Sequence, residues 1–300
     1  MMSIDKRVFF VALGVLFGGC EGVVLEPSEG GSQSSNLPQA TDNVGNDSNN
    51  EGSVDDGNID DGASDSLLNC QSNGSGGLKE DIFEQSFTAS TGQTSNYHLY
   101  AAALDWNEPM GLAVILHGDG GGFYTSPQSG ASGMVPILNE YNMLSLIVRT
   151  PDFSTNTWWL NGSDNVEFLS ELIDQRVLEQ YPINTDKVLI IGYSGGAEFT
   201  TIDYVPGDGE HFCGGAALVL GSGSPPSGNP EFSTDFKNSF KFHFYAGQND
   251  QYLSDAQKGS EKYTSLGFTV TTEWPSGIGH ATIPFANVLE EQLEKGLLNH

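Results

Sequence analysis

Basic side chains are scarce in this chain. Its 300 residues carry 11 Lys and Arg against 39 Asp and Glu, a formal net charge of −28. A field of that sign repels phosphodiester backbones and excludes nucleic acid as a partner. Long apolar runs are missing too. Val8 to Phe17 is too short to span a bilayer as a stable helix. The acidic stretch Asp55-Asp56-Gly57-Asn58-Ile59-Asp60-Asp61-Gly62 lacks the spaced carboxylates and closing Glu of a calcium loop, and reads as solvated chain. Gly118-Asp119-Gly120-Gly121-Gly122 is glycine-rich but has no Gly-Lys-Ser/Thr ending and no nearby lysine, which excludes a phosphate-binding loop. No cofactor and no metal site is expected.

Only three cysteines occur. Cys20 stands after Asp5-Lys6-Arg7, the apolar run and Gly18-Gly19. That order gives a charged region, a short hydrophobic region and small residues at a cleavage site. Leu16-Phe17-Gly18-Gly19-Cys20 resembles a bacterial lipobox, with Phe17 an untypical member. The resemblance implies a signal peptide over residues 1–19, lipidation of Cys20, export, and a membrane anchor at the cell envelope. An ordinary secretory signal with a chance cysteine is the other reading. Cys70 and Cys213 then form an even pair in an exported chain, where disulfides persist. A bridge and two buried free thiols both stay open.

Residues 20–77 are Ser, Asn, Gly, Asp and Glu with few apolar side chains. Such a stretch buries too little surface to offset chain entropy, and reads as a flexible tether. Residues 78–300 are long enough for one domain with a proper core. The acid excess persists in this part and suits a salty medium, where counterions screen self-repulsion. A monomer is expected.

Within 78–300, strand-like and helical patterns alternate. Strands are expected near 85–89, 97–101, 112–116, 144–148, 188–191, 216–220, 240–246 and 268–274. Helices are expected near 134–141, 165–180 (with Asp164 as the N-cap region), 251–266 and 283–298. This alternation predicts an α/β fold, a mostly parallel sheet with helices on both faces. The apolar run Val188 to Ile191 is a strand buried on both sides. Gly192-Tyr193-Ser194-Gly195-Gly196 follows it and matches Gly-x-Ser-x-Gly. A serine on a sharp strand-to-helix turn presents its hydroxyl, and glycines two residues either side avoid collision. The N–H of Gly195 is placed to donate to an oxyanion.

Sites in such sheets lie at the carboxyl ends of strands. The loop after Leu116 supplies the second oxyanion donor, from the main chain of Asp119 or Gly120. His117 is read as holding that loop in shape. Gly247-Gln248-Asn249-Asp250 follows a strand, which makes Asp250 the triad acid, with Asp255 as second candidate. Gly277-Ile278-Gly279-His280 follows the last strand, which makes His280 the base. His243 falls within a strand and reads as packing. The chain order Ser194, Asp250, His280 is that of α/β-hydrolases. Tyr124, Trp158, Trp159 and Trp274 are candidates for an apolar or sugar-stacking surface, with core packing the other role open to each.

Residues 110–285 resemble the secreted esterase group that contains polyhydroxybutyrate depolymerases and feruloyl or acetylxylan esterases. The resemblance rests on Leu116-His117-Gly118, Asp164-Asn165-Val166-Glu167-Phe168, the Ser194 elbow, Gly247-x-x-Asp250 and Gly279-His280-Ala281. It implies the α/β-hydrolase fold, cofactor-free ester hydrolysis and the triad Ser194, Asp250, His280. The loop after His117 departs from the group in having no bulkier residue among its glycines, and the helix after Ser194 is more polar. An ester substrate, polymeric or small, is the expected partner. Two other readings are a serine peptidase on the same fold, and a non-catalytic surface-binding module.

Overall fold

The computed structural model describes residues 70–126 and 131–299. The signal-like segment, Cys20 and the linker through residue 69 lie outside the described residues. Among the described residues no helix is long and apolar enough to cross a membrane.

The strands are β1 (Ile82–Thr88), β2 (Thr94–Tyr100), β3 (Met110–Leu116), β4 (Met143–Val148), β5 (Ile183–Tyr193), β6 (Gly215–Leu220), β7 (Phe240–Tyr245) and β8 (Thr269–Glu273). They make one sheet in the order β1-β2-β4-β3-β5-β6-β7-β8. β1–β2 and β2–β4 pair antiparallel; every pairing from β4 to β8 is parallel. The helices are α1 (Gly122–Thr125), α2 (Ala131–Glu140), α3 (Gly162–Ile173), α4 (Gly195–Phe199), α5 (Val205–Asp208), α6 (Thr234–Ser239), α7 (Leu253–Ser265) and α8 (Phe285–Glu294).

The central strands are apolar throughout because both faces are covered. All seven residues of β3 are buried. Leu112, Val114 and Leu116 join a core layer with Phe168 and Leu172 of α3, Phe199 of α4 and Tyr263 of α7. Ala113 and Ile115 point the other way, to Met134 and Leu138 of α2 and Leu289 and Leu293 of α8. Each large apolar side chain so buried contributes about 1.5–3 kcal/mol. The edge strand β8, Thr-Val-Thr-Thr-Glu, is largely exposed, as a polar edge should be.

Register sets where the loops emerge. Leu116 of β3 pairs with Gly192 of β5, Tyr193 with Leu220 of β6, Leu220 with Tyr245 of β7, and Tyr245 with Glu273 of β8. The loops after these strands therefore leave one edge of the sheet nearly level with each other. β3 lies between β4 and β5, so the connections from β3 and β5 diverge there and leave a crevice.

Three local features differ from the sequence expectation. α3 starts at Gly162, after Asn161 at φ 59°, so Asp164 sits in the first turn rather than at the cap. There its charge favours the positive end of the helix. α3 also ends early, in a π-helical turn over Asp174–Leu178. A second π turn, Thr200–Tyr204, follows α4, where the Thr200 and Thr201 hydroxyls donate back to the Gly196 and Ala197 carbonyls. Such back-bonding loosens a helix and leaves no simple 3.6-residue pattern to read.

The polar segment Cys70 to Gly77, just before the domain start expected at Leu78, is tied to the sheet-bearing part of the chain. Cys70 is bridged to Cys213, with Cα atoms 5.8 Å apart. The Ser72 and Gly74 N–H groups donate to Ile183 and Leu178 carbonyls at 2.8 and 3.0 Å. Backbone hydrogen bonds and a covalent link hold this stretch, and neither leaves a hydrophobic signature.

Candidate active site

Ser194 stands between β5 and α4 with φ 52° and ψ −115°. Few non-glycine residues take this conformation, which costs about 1–3 kcal/mol and survives only where the surroundings enforce it. Here the buried strand fixes one side, and the Ser194 N–H is tied to the Leu220 carbonyl at 2.9 Å. The flanking glycines are steric requirements. A Cβ on Gly192 would lie 2.6 Å from the Gly196 carbonyl, and one on Gly196 would lie 2.5 Å from the Leu116 carbonyl.

The Ser194 hydroxyl is 2.9 Å from Nε2 of His280. Nδ1 of His280 is 3.0 Å from both carboxylate oxygens of Asp250, whose side chain is fully buried. Asp250 also accepts from the Tyr252 N–H at 2.9 Å. The loops carrying Asp250 and His280 are sewn together: the Asn249 N–H donates to the Ile278 carbonyl at 2.9 Å. Gly247 allows that approach, since a Cβ there would strike the Ile278 backbone. Asp255, the second acid candidate, sits in the first turn of α7 with Lys258 at 3.6 Å and makes no such contact with His280.

The imidazole is bracketed. Tyr193 stacks on it with centroids 5.1 Å apart and donates its hydroxyl to the His280 carbonyl at 3.2 Å. Tyr252 meets it edge-on at 4.9 Å. Reading along the chain missed both tyrosines as site residues. Tyr193 carried a signal, as the x before Ser in the elbow, but its contact with His280 is made only by the fold.

The loop after β3 lies directly against the serine: a Cβ on Gly118 would be 3.0 Å from that of Ser194. Of the two main-chain candidates for the second oxyanion donor, Gly120 has its N–H engaged elsewhere. Its N–H donates to the Asn156 carbonyl at 3.1 Å, and it occupies φ 89° within a turn closed by Gly121 N–H to the Gly118 carbonyl at 3.1 Å. The Asp119 N–H has no protein acceptor among the described residues. The Gly195 N–H is at the first position of α4, where helix geometry supplies no intrahelical acceptor. His117 is buried, accepts from the Thr150 N–H on Nε2 at 3.0 Å and meets the Gly118 carbonyl through Nδ1 at 2.8 Å. Burial pushes its pKa down to about 4, so it stays neutral and braces the loop. His243 is likewise buried, with its pKa pushed down by burial to about 4.

A cavity of about 320 Å³ opens beside Ser194, lined by Asp119, Trp159, Gly195, Glu198, Ile202, Ser222, Ser224, Tyr252 and Asp255. It has three carboxylates in its wall and no Lys or Arg. Glu198 accepts from the Ser222 hydroxyl and from the Gly223 and Ser224 N–H groups. A smaller cavity, about 210 Å³, is lined by Gly118 and Asp119 together with Phe123, Tyr193 and Phe285.

Of the four aromatic candidates, Trp159 alone lines the cavity beside Ser194. Trp158 is fully buried and stacks on Phe199. Tyr124 is buried, stacked on His98 with its hydroxyl on Glu84 at 2.6 Å. Trp274 packs against the core. Adjacent Trp158 and Trp159 face opposite ways, which the dipeptide itself does not reveal.

No family model matches the sequence, and no curated protein matches it. Solved structures do match in fold. A structure described as a thermostable esterase superposes with a TM-score of 0.53 at 16% identity, over 74% of this chain and 63% of that one. MGS-M1, an α/β-hydrolase enzyme from a Medee basin deep-sea metagenome library, gives 0.51 at 13% identity, over 73% and 96%. An esterase of the fungus Rhizomucor miehei gives 0.51 at 12% identity, over 72% and 82%. The chain has the α/β-hydrolase fold: a mostly parallel sheet covered on both faces, as its alternating pattern implies.

Proposed function

We propose that the chain is a serine hydrolase of carboxylic esters, with Ser194 as nucleophile, His280 as general base and acid, and Asp250 as the acid that orients it. The observation that carries this is the unbroken hydrogen-bond relay from Ser194 through His280 to buried Asp250. His280 takes the hydroxyl proton as Oγ attacks the carbonyl. The N–H groups of Gly195 and Asp119 stabilise the tetrahedral oxyanion. His280 then protonates the leaving alcohol, and water repeats the cycle on the acyl-enzyme. Structures that share the fold are described as esterases, which supports the reading by analogy of fold alone.

Polyester, feruloyl and acetylated polysaccharide esters are the substrate classes we favour. A wall with three carboxylates and no Lys or Arg, in which Asp255 alone is paired, with Lys258 outside the lining, favours neutral, hydroxylated or cationic groups. A carboxylate brought there meets like charge in a partly desolvated space. Among p-nitrophenyl esters of matched size, those with a neutral or cationic acyl chain should exceed a carboxylate-bearing one by about tenfold or more in kcat/KM, and added salt should narrow the gap. Matched peptide anilides should turn over far more slowly. Anilide turnover equal to that of the esters would favour a peptidase, and equal rates for the anionic ester would remove the charge filter.

We further propose an exported lipoprotein, tethered by the acidic linker from a lipidated Cys20, so that the domain reaches substrates too large to enter the cell. A lipid chain contributes about 0.8 kcal/mol per buried CH₂, and several chains on one cysteine anchor firmly. The wild type should fractionate with membranes, and Cys20→Ser should weaken this or block processing. Wild-type protein wholly in the medium, with no lipid mass on its N-terminal peptide, would make Cys20 an ordinary residue beside a secretory cleavage site.

A further inference from the structure

The loop that offers the Asp119 N–H is rich in glycine, at 118, 120, 121 and 122, and such a chain has little intrinsic rigidity. Its shape is imposed by the segment that follows β4. Three hydrogen bonds cross between them. The Thr150 N–H donates to His117, the Gly120 N–H donates to the Asn156 carbonyl at 3.1 Å, and Nε1 of Trp159 donates to the Asp119 carboxylate at 3.1 and 3.2 Å.

The peptide planes on both sides of Asp119 are held, one from within the loop and one from the segment after β4. The Asp119 N–H shares a plane with the Gly118 carbonyl, and in a trans peptide the two point in opposite directions. That carbonyl is held by the His117 ring at 2.8 Å and the Gly121 N–H at 3.1 Å. The next plane, which contains the Gly120 N–H, is held by the Asn156 carbonyl. Asn156 is itself constrained. It lies at φ 50°, and its Oδ1 accepts from Nε and Nη2 of Arg149 at 3.2 and 3.1 Å. The Arg149 guanidinium lies 4.4 Å over the Phe153 ring. In a chain so rich in acid, this arginine is turned to an amide oxygen and a ring, and pairs with no carboxylate among the described residues.

We infer that Arg149, Asn156 and Trp159 are positioning residues, a latch that aims the Asp119 N–H at the oxyanion formed on Ser194. The inference rests on the esterase reading above. It assigns Trp159 a second role: its ring walls the cavity while its indole N–H holds the loop.

Two variants separate these roles. Trp159→Phe keeps an aromatic wall and removes the N–H. Asn156→Gly keeps the left-handed backbone and its carbonyl but releases them from Arg149. In each, kcat on a neutral p-nitrophenyl ester should fall about tenfold or more, with KM within about twofold, because a misplaced donor weakens the transition state and not ground-state binding. The Ki of a trifluoromethyl ketone, whose adduct places an oxyanion in the same hole, should rise by the same factor. The pH profile should superimpose on that of the wild type, since His280 and Asp250 are untouched. Wild-type kcat in both variants overturns the latch, as does a rise in KM with kcat unchanged, which would make Trp159 a substrate contact only. Trp159 is about half exposed (46%), so its variant tests the idea even if Asn156→Gly folds poorly. A wild type that hydrolyses no ester overturns the parent reading, and this with it; an active wild type with unaffected variants overturns the latch alone.

Discussion

Ser194→Ala is expected to lower ester turnover by about a millionfold, to a residue of activity that oxyanion donors and binding alone sustain. The size of the effect follows from the relay. With no hydroxyl 2.9 Å from Nε2 of His280, the base has no proton to take and the carbonyl no nucleophile to meet. The fold should not suffer. Alanine keeps the Cβ that serine already carries at φ 52°, so backbone strain is unchanged, and the elbow remains tied through its N–H to Leu220. The thermal midpoint should stay within a few degrees of the wild type. A fluorophosphonate probe should label wild-type protein on Ser194 and leave the variant unlabelled. Activity of the variant within tenfold of wild type would remove Ser194 from the mechanism; an unlabelled, inactive wild type would favour a binding module on a hydrolase fold.

The parts of the site that can be read along the chain are those set by strand ends. A parallel strand covered on both faces must be apolar, so Val188 to Ile191 announces itself, and the residue after such a strand lies at the active edge of the sheet. The same logic finds the loops of Asp250 and His280, which emerge from neighbouring strands in level register. What depends on contact between distant segments is hidden. Tyr193 and Tyr252 bracket His280 because three loops converge there, and no spacing of residues encodes that. The choice of Asp119 over Gly120 turns on a hydrogen bond to Asn156, in another loop. Trp158 and Trp159 are indistinguishable in composition, yet one stacks in the core and the other walls the cavity. The packed stretch after Cys70 looks like linker because backbone bonds and a disulfide, rather than apolar burial, hold it.

Asp250→Asn is expected to cost about 10⁴-fold in turnover, while Asp255→Asn should leave kcat within about twofold. The difference is one of geometry, since both are acids in the loop and helix after β7. Asp250 is buried, faces Nδ1 of His280 with both oxygens at 3.0 Å, and also accepts from the Tyr252 N–H. An asparagine that keeps its oxygen on the Tyr252 N–H turns its amide NH₂ toward Nδ1. That arrangement favours the imidazole protonated on Nε2, the tautomer that cannot accept the Ser194 proton. It also removes the negative charge that stabilises the imidazolium formed during attack. Packing should be little disturbed, because the amide replaces the carboxylate nearly atom for atom. Asp255 has a partly exposed ion pair with Lys258 at 3.6 Å and lines the cavity beside Ser194, so its variant should register in KM or charge preference rather than kcat. Steady-state kinetics on one neutral ester decide between the two. A larger fall in kcat for Asp255→Asn than for Asp250→Asn would move the orienting acid into α7 and leave the buried Asp250 as a loop brace.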